Sequence, residues 1–369
     1  MDYAGYRIRR ERIQRNWSQE GLCKGICTVS YLSKIEQGKT EASPQILRQL
    51  MERMDLKWAE QAPDLEEGYE LLFSLNIPEL KTFLADREAC RAFSLDWMLL
   101  SRCCAQMGQP LEEDVEPFMD SRQLALQRIL QRRDQEAVRL WPNGYLYLTA
   151  GSRCFYRGEN TAALELLEKA YQAASAEGYP AIMLNSKLNM GSCYSNQQNL
   201  PAMEVHYRVA ARLAKALGDA DALETIRYNT AATQLEVGQY AQALSYFESS
   251  QSLDPLFGHK LAICYEKLGR SQDAFDALAR TEDTEKQTPL IRQMRSLVRM
   301  RLEDPEYLDS DDYGGALLHC FQSCREQMPA GYAIFHLPWV LEWYEHRRQY
   351  KQAYILLRDF PEWSAMQAV

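Results

Sequence analysis

Residues 17–38 constrain this chain more than any other stretch. They read Trp-Ser-Gln-Glu-Gly-Leu-Cys-Lys-Gly-Ile-Cys-Thr-Val-Ser-Tyr-Leu-Ser-Lys-Ile-Glu-Gln-Gly. Ser18 is suited to cap a short helix, with Gln19 and Glu20 in its first turn. Gly25 loosens the end of that helix, Thr28 caps a second, and Gly38 stops it. Leu22, Leu32 and Ile35 form the apolar seam between the two, with Leu32 and Ile35 at i, i+3 spacing. Val29, Ser30, Ser33 and Lys34 are left facing out. Two short helices joined by a tight turn, the second carrying small and hydrogen-bonding side chains, suit insertion into a DNA major groove.

The flanking residues complete a small all-α domain. Tyr6, Ile8 and Ile13 mark a first helix that also carries Arg7, Arg9, Arg10, Glu11 and Arg12. Lys39, Thr40 and Glu41 form a turn. Ser43 then caps a fourth helix with Pro44 at its first position, and Ile46, Leu47, Leu50, Met51 and Met54 give it one apolar face. Residues 1–54 hold 3 Lys and 7 Arg against 5 Glu and 1 Asp, a net of +4, which leaves −13 for residues 55–369 out of the total of −9. A basic head able to neutralise phosphates thus precedes an acidic body.

The head resembles the helix-turn-helix domain of the Xre/Cro repressors, through Ser18-Gln19-Glu20, Leu22 and the run Leu32-Ser33-Lys34-Ile35-Glu36-Gln37-Gly38. It is similar in particular to the Rgg/PlcR type of peptide-responsive regulators, whose turn reads as Gly25 to Glu36 do here. Two departures stand out: the turn is one residue shorter than the general Xre pattern, and Cys23 replaces a small Ala at the helix contact. The resemblance implies double-stranded DNA as a partner. It places Gln19 on a phosphate and Val29, Ser30 and Lys34 at base edges, and extends the contact set to Thr28, Tyr31, Ser33 and Lys39. It also implies an Arg12–Glu36 pair that joins helices and leaves the DNA alone. Elementary chemistry agrees for Gln19 at a helix N-terminus, and for Lys34 toward guanine and Val29 toward a thymine methyl. The competing reading is a helix-turn-helix used only for protein contact.

Pro63, Asp64, Glu66, Glu67 and Gly68 mark a linker, so the expected domains are 1–60 and 61–369. The body reads as helical nearly throughout, with Pro and Gly between segments of helical length. Gly151, Gly191, Ala232 and Ala262 align. Ala163, Met203, Ala243 and Ala274 follow near twelve residues on, and Leu167, Tyr207, Phe247 and Leu278 near sixteen on. A weaker last copy runs through Leu341, Tyr344, Tyr350, Ala353 and Leu357. Small residues at the first two positions let helices cross closely, and the large third residue fills the gap. This resembles the tetratricopeptide (TPR) pattern, and the expected fold class is all-α, a helix-turn-helix head followed by a TPR-like solenoid of helical hairpins.

In such a solenoid the first helix of each hairpin lines a concave face. The inward stripe takes in Tyr145, Ser152 and Tyr156; Asn185, Ser192, Ser195 and Asn196; Ile226, Asn229, Thr233 and Glu236; and His259, Ile263 and Glu266, with Asn189 and Arg227 at its edge. Asn amides match peptide backbone groups, and Tyr and Ile walls suit apolar side chains. The expected partner is a short peptide held by Tyr156, Asn185, Asn189, Ser192, Asn196, Arg227, Asn229 and Thr233. The competing reading is a wet polar face that binds nothing. Trp339 and Val340, or Trp343 and Tyr344, read as an end cap or as the surface of a homodimer.

With 46% apolar residues the chain has material for substantial cores. No signal peptide or membrane-length apolar run is visible, so no membrane partner and a cytoplasmic location are expected. The cysteines, at 23, 27, 90, 103, 104, 154, 193, 264, 320 and 324, are scattered through helical patterns as buried thiols. Only Cys320 and Cys324, beside His319, suggest a metal or redox role, and no second pair completes a tetrahedral site. Asp309-Ser310-Asp311-Asp312 lacks the spacing of a calcium loop. No nucleophile motif or phosphate loop is present, so no enzyme activity and no cofactor are expected. The function expected is a peptide-responsive DNA-binding transcription regulator. The alternative is a helix-turn-helix regulator whose body docks a protein or senses redox state.

Overall fold

The computed structural model describes residues 3–56, 65–88, 94–105, 108–250, 252, 254–281 and 288–359. Pro63, Asp64 and Cys90 fall outside them. The described residues form helices joined by turns, with no strand among them. They group into two compact units, one of residues 1–150 with 172–182, the other of 151–171 with 183–369.

The first unit opens with α1 (Tyr3–Gln14), α2 (Gln19–Cys23), α3 (Val29–Glu36) and α4 (Pro44–Arg53). The caps expected from sequence form. Ser18 accepts from the Gly21 N–H at 2.9 Å, Thr28 from the Tyr31 N–H at 3.2 Å and Ser43 from the Ile46 N–H at 3.4 Å. Ile8, Leu22, Leu32, Ile35, Leu50 and Met51 are wholly buried in one core, each worth about 1.5–3 kcal/mol of burial. Gly5 is required on α1, because a Cβ there would overlap the Ile35 carbonyl oxygen. Cys23 fits the helix contact and is buried.

The same unit continues through α5 (Glu66–Phe73), α6 (Ile77–Asp86), α7 (Leu95–Cys104), a 3-10 turn (Glu113–Phe118), α8 (Ser121–Leu130) and α9 (Asp134–Leu140). Their core holds Tyr69, Leu72, Leu80, Leu99 and Leu126. Arg122 lies 3.7 Å above the Tyr69 ring and grips Glu66 with two hydrogen bonds of 2.7 Å. The acidic end of the 3-10 turn meets α1: Tyr6 donates to Asp114, Arg10 pairs with Glu112 at 2.5 Å, and Phe118 packs on the Tyr3 and Tyr6 rings.

The remaining helices are α10 (Gly144–Tyr156), α11 (Asn160–Glu177), α12 (Pro180–Asn196), α13 (Leu200–Leu217), α14 (Ala220–Glu236), α15 (Tyr240–Ser249), α16 (Pro255–Lys267), α17 (Ser271–Arg280), α18 (Pro289–Glu303), α19 (Asp311–Gln327), α20 (Ala330–His346) and α21 (Tyr350–Arg358). The aligned positions of the second unit do what their sizes suggest. A Cβ on Gly151 would sit 2.9 Å from Leu167, and one on Gly191 would enter the Tyr207 ring. Ala163, Met203, Ala243 and Ala274 are completely buried. The turns of α10–α11, α12–α13, α14–α15, α16–α17 and α20–α21 each carry one left-handed residue at an equivalent place: Gly158, Gln198, Gly238, Gly269 and Arg348. Val340 and Trp343 are buried against α18 and α19 in a core of their own chain, which uses surface that the sequence left open to a dimer.

Candidate DNA-contact helix and ligand cavity

Helix α3 turns Leu32 and Ile35 into the core and presents the opposite side to solvent. Val29 is 42% exposed, Ser30 and Lys34 are exposed, and Ser33 is half-buried. Thr28 is occupied as the cap. Tyr31 is half-buried and donates to the Glu41 carbonyl at 3.4 Å. Ser33 accepts from Gln37 at 3.1 Å, and Lys39 is exposed just beyond the helix. Gln19 stands at the first position of α2, and its side-chain amide donates to Glu36 Oε2 at 2.8 Å. Glu36 also takes Arg12, through Nε at 2.7 Å and Nη2 at 2.9 Å. A buried carboxylate with three donors holds α1, α2 and α3 in one arrangement. Arg53 anchors α4 on the end of α2 through the carbonyls of Leu22 and Lys24, at 2.9 and 2.5 Å.

Several head arginines already have carboxylate partners. Arg7 and Arg15 both pair with Glu11, Arg12 with Glu36 and Arg10 with Glu112.

In the second unit a cavity of about 410 Å³ opens between hairpins. Six of the eight candidate ligand residues line it: Tyr156, Asn185, Asn189, Ser192, Asn196 and Asn229. Their donors are partly engaged across helices. Asn189 donates to Ser152 at 2.8 Å, Asn196 to Asn160 at 3.3 Å and Asn229 to the Tyr207 hydroxyl at 3.1 Å. Tyr207 also meets Ser192 at 3.1 Å, so one phenol ties α12, α13 and α14 together. The other two candidates stand apart. Thr233 is completely buried, with its hydroxyl donating to the Asn229 carbonyl at 2.8 Å and meeting Ser195 at 2.5 Å. Arg227 is exposed and pairs with Glu224 at 3.4 Å.

Residues outside the candidate set complete the walls. Tyr228 and Glu236 come from α14, Lys260 from α16, and Tyr332 and Phe335 from α20. On α16 the expected inward residues lie elsewhere: His259 and Ile263 are buried in the core, and Glu266 is held by Arg301 at 2.7 Å. Rings of α20 (Phe335, His336 and Trp339) cover His259, and Val298 and Arg301 of α18 meet Ile263 and Glu266; one residue on, about 100° around the helix, Lys260 faces the cavity instead. Glu236 was in the inward stripe and does line the cavity. Burial pushes its carboxyl group up to about 7, with the Lys260 ammonium opposing. Burial lowers the Lys260 ammonium, partly offset by Glu236. A second cavity of about 460 Å³ shares Thr225, Tyr228 and Tyr332 with the first and carries Asp221, Glu224 and Asp254.

Cys320 and Cys324 are both completely buried, and His319 is exposed. A hydrogen bond from the Cys320 thiol, together with one from His336, lowers the Cys324 thiol. No group of three or more His, Cys, Asp and Glu suited to a metal ion occurs among the described residues. Nor is any described helix long and apolar enough to cross a membrane.

Among curated proteins no sequence matches this chain. The crystal structure of Bacillus thuringiensis PlcR in complex with the peptide PapR7 and DNA aligns at 13% identity with a TM-score of 0.33, over 77% of this chain and 100% of that one. The helix-turn-helix family model matches residues 8–61, the segment in which α2 and α3 are capped, packed and pinned to α1 as set out above. The N-terminal segment of this chain is a helix-turn-helix domain of the Xre type.

Proposed function

We propose that the chain is a cytoplasmic transcription regulator of the Rgg/PlcR type, with residues 1–60 as its DNA-binding domain and residues 61–369 as a TPR-like ligand-binding domain. The head binds double-stranded DNA through the exposed side of α3, with Val29, Ser30 and Lys34 reaching base edges and Lys39 a phosphate. Thr28, Tyr31 and Ser33 shape the approach. Gln19 acts through its place at the start of α2 while its amide steadies Glu36. The regulator works as a homodimer on a two-fold site, with half-sites about one helical turn, ~34 Å, or a multiple apart.

The body binds a short extended peptide in the 410 Å³ cavity. The observation that carries this reading is the convergence of Asn185, Asn189, Asn196 and Asn229 with Tyr156, Tyr228 and Tyr332 on one open cleft. Amides there match backbone groups and rings match apolar side chains. Thr233 belongs to the frame of this site through its bonds to Asn229 and Ser195, while Arg227 lies outside the cavity.

Two measurements test the proposal. DNA selected by the full chain, with and without peptides from host culture, should show an inverted repeat and a peptide-dependent change in recovery. Calorimetry should show Asn229→Ala weakening peptide binding about tenfold, or ~1.4 kcal/mol, with DNA affinity in the absence of peptide unchanged. Equal peptide affinity in both proteins removes Asn229 from the site. Absence of any peptide effect on DNA or heat favours a body that docks a protein.

A further inference from the structure

Lys260 is the one basic side chain among those lining the 410 Å³ cavity. It is 8% exposed, yet no carboxylate lies within ion-pair distance of it among the described residues. Its ammonium rests 4.1 Å from the centre of the Phe335 ring, a contact that softens the loss of water without supplying an opposite charge. A cation so placed is costly until an anion joins it. Glu236 is the one acid among the lining residues. Burial raises its carboxyl group and lowers the Lys260 ammonium, each partly opposing the other, and no ion pair joins the two.

The same cavity is bordered by the start of α20, with Pro329, Gly331 and Tyr332 in its wall. Pro329 stands at the N-cap and no side chain caps that end. The Tyr332 N–H is taken by the Pro329 carbonyl at 3.0 Å, and the positive end of the dipole of this 17-residue helix lies at the same terminus. Gly331 keeps the approach narrow, since a Cβ there would stand 2.8 Å from Asn196 Oδ1. A buried ammonium and an uncapped helix N-terminus on one cavity form a receptor for a single carboxylate.

We propose that Lys260 and the N-terminus of α20 form a carboxylate subsite that anchors one end of the bound peptide. This rests on the peptide reading of the cavity and adds to it the polarity of the ligand: one carboxylate is inside, and the chain runs from it along the asparagines. The acidic body as a whole disfavours a strongly acidic peptide, whereas this subsite asks for one negative group at one place. That group is either a free C-terminus or an Asp or Glu side chain.

The test uses three pools of N-acetylated peptides of about 5–10 residues, each screened for retention by the full chain with mass-spectrometric readout. One pool has free C-termini and no acidic side chains, one has amidated C-termini and a single Asp or Glu, and one is amidated without any acid. Either of the first two pools should be retained about tenfold or more over the third, and whichever it is identifies the source of the carboxylate. Lys260→Met should erase that preference and Lys260→Arg should keep it. Equal retention of all three pools by the wild type overturns the subsite while leaving the peptide reading intact. No retention of any pool overturns both. The comparison of pools needs only the wild-type chain, so it stands even if Lys260→Met fails to fold.

Discussion

Arg12 and Glu36 form a two-pronged contact between the first and third helices, Nε to Oε1 at 2.7 Å and Nη2 to Oε2 at 2.9 Å. Gln19 adds a third donor to the same carboxylate at 2.8 Å. The Glu36 side chain is only 2% exposed, so Glu36→Gln leaves a poorly hydrated guanidinium without its counter-charge. The expected loss is about 3 kcal/mol, the lower part of the range for breaking a buried pair. Hydrogen exchange of the head amides in the full chain should show α2 and α3 losing protection. Unchanged protection would mean the pair does not hold the helices together.

Gly5 sets how closely α1 approaches α3. The obstacle to a larger residue is the backbone oxygen of Ile35, which no rotamer change can remove. Gly5→Ala should therefore cost about 1–3 kcal/mol, as overpacking does. It should also lower DNA affinity by shifting α3 against the rest of the head. A thermal melt within error of the wild type would show that α1 can slide without penalty.

Lys34 is exposed on the outward side of α3, one turn beyond Ser30. Lys34→Ala should relax sequence preference at one base pair by about 1–3 kcal/mol. Competition binding with operator variants distinguishes this from a uniform loss across all sequences, which would assign Lys34 to a phosphate.

Glu236 makes the second unit sensitive to pH. Its carboxyl group is raised to about 7 in the fold by burial, against about 4.3 in an unfolded chain. A raised folded value stabilises fully below the unfolded one, and that contribution is lost as pH rises through about 7. Glu236→Gln remains neutral throughout. It should match the wild type near pH 4 and melt higher at pH 8, by about 2–4 °C for each kcal/mol released in a unit of this size. A lower melting temperature at pH 8 would show that the charged pairing with Lys260 dominates over burial.

The parts legible in the sequence are those decided by near neighbours. Ser18, Thr28 and Ser43 cap where they stand because the accepting N–H is three residues on. Gly151 meets Leu167, and Gly191 meets Tyr207, inside single hairpins, so a repeat of sizes in the chain becomes a repeat of contacts. The stripe lining the cavity was legible on α12 and for much of α14. It fails on α16, where α18 and α20, which the sequence does not announce as a cover, bury His259 and Ile263 and leave Lys260 on the cavity wall. Tyr332 and Phe335 were out of reach for the same reason: they arrive from α20, beyond a segment with weak repeat register. The internal acceptors of the Gln19 amide and the Thr233 hydroxyl, Glu36 and the Asn229 carbonyl, are not legible in the sequence because both are set by packing between or within helices.

The arginine pairs of α1 change what a salt titration would measure. Counting residues gives the head a surplus of four positive charges. Arg7 and Arg15 share Glu11, Arg12 is held by Glu36, and Arg10 faces Glu112, which is contributed from outside the head. A phosphate approaching α3 chiefly meets exposed lysines such as Lys34 and Lys39, while much of the arginine charge is already screened by the protein's own carboxylates. Each cation that engages DNA displaces about 0.9 of a condensed counterion. The logarithmic dependence of affinity on salt should consequently be shallower than the basic residue count of the head implies. Disrupting the Arg10–Glu112 contact should steepen it, because a guanidinium once shielded by a carboxylate becomes available to displace counterions.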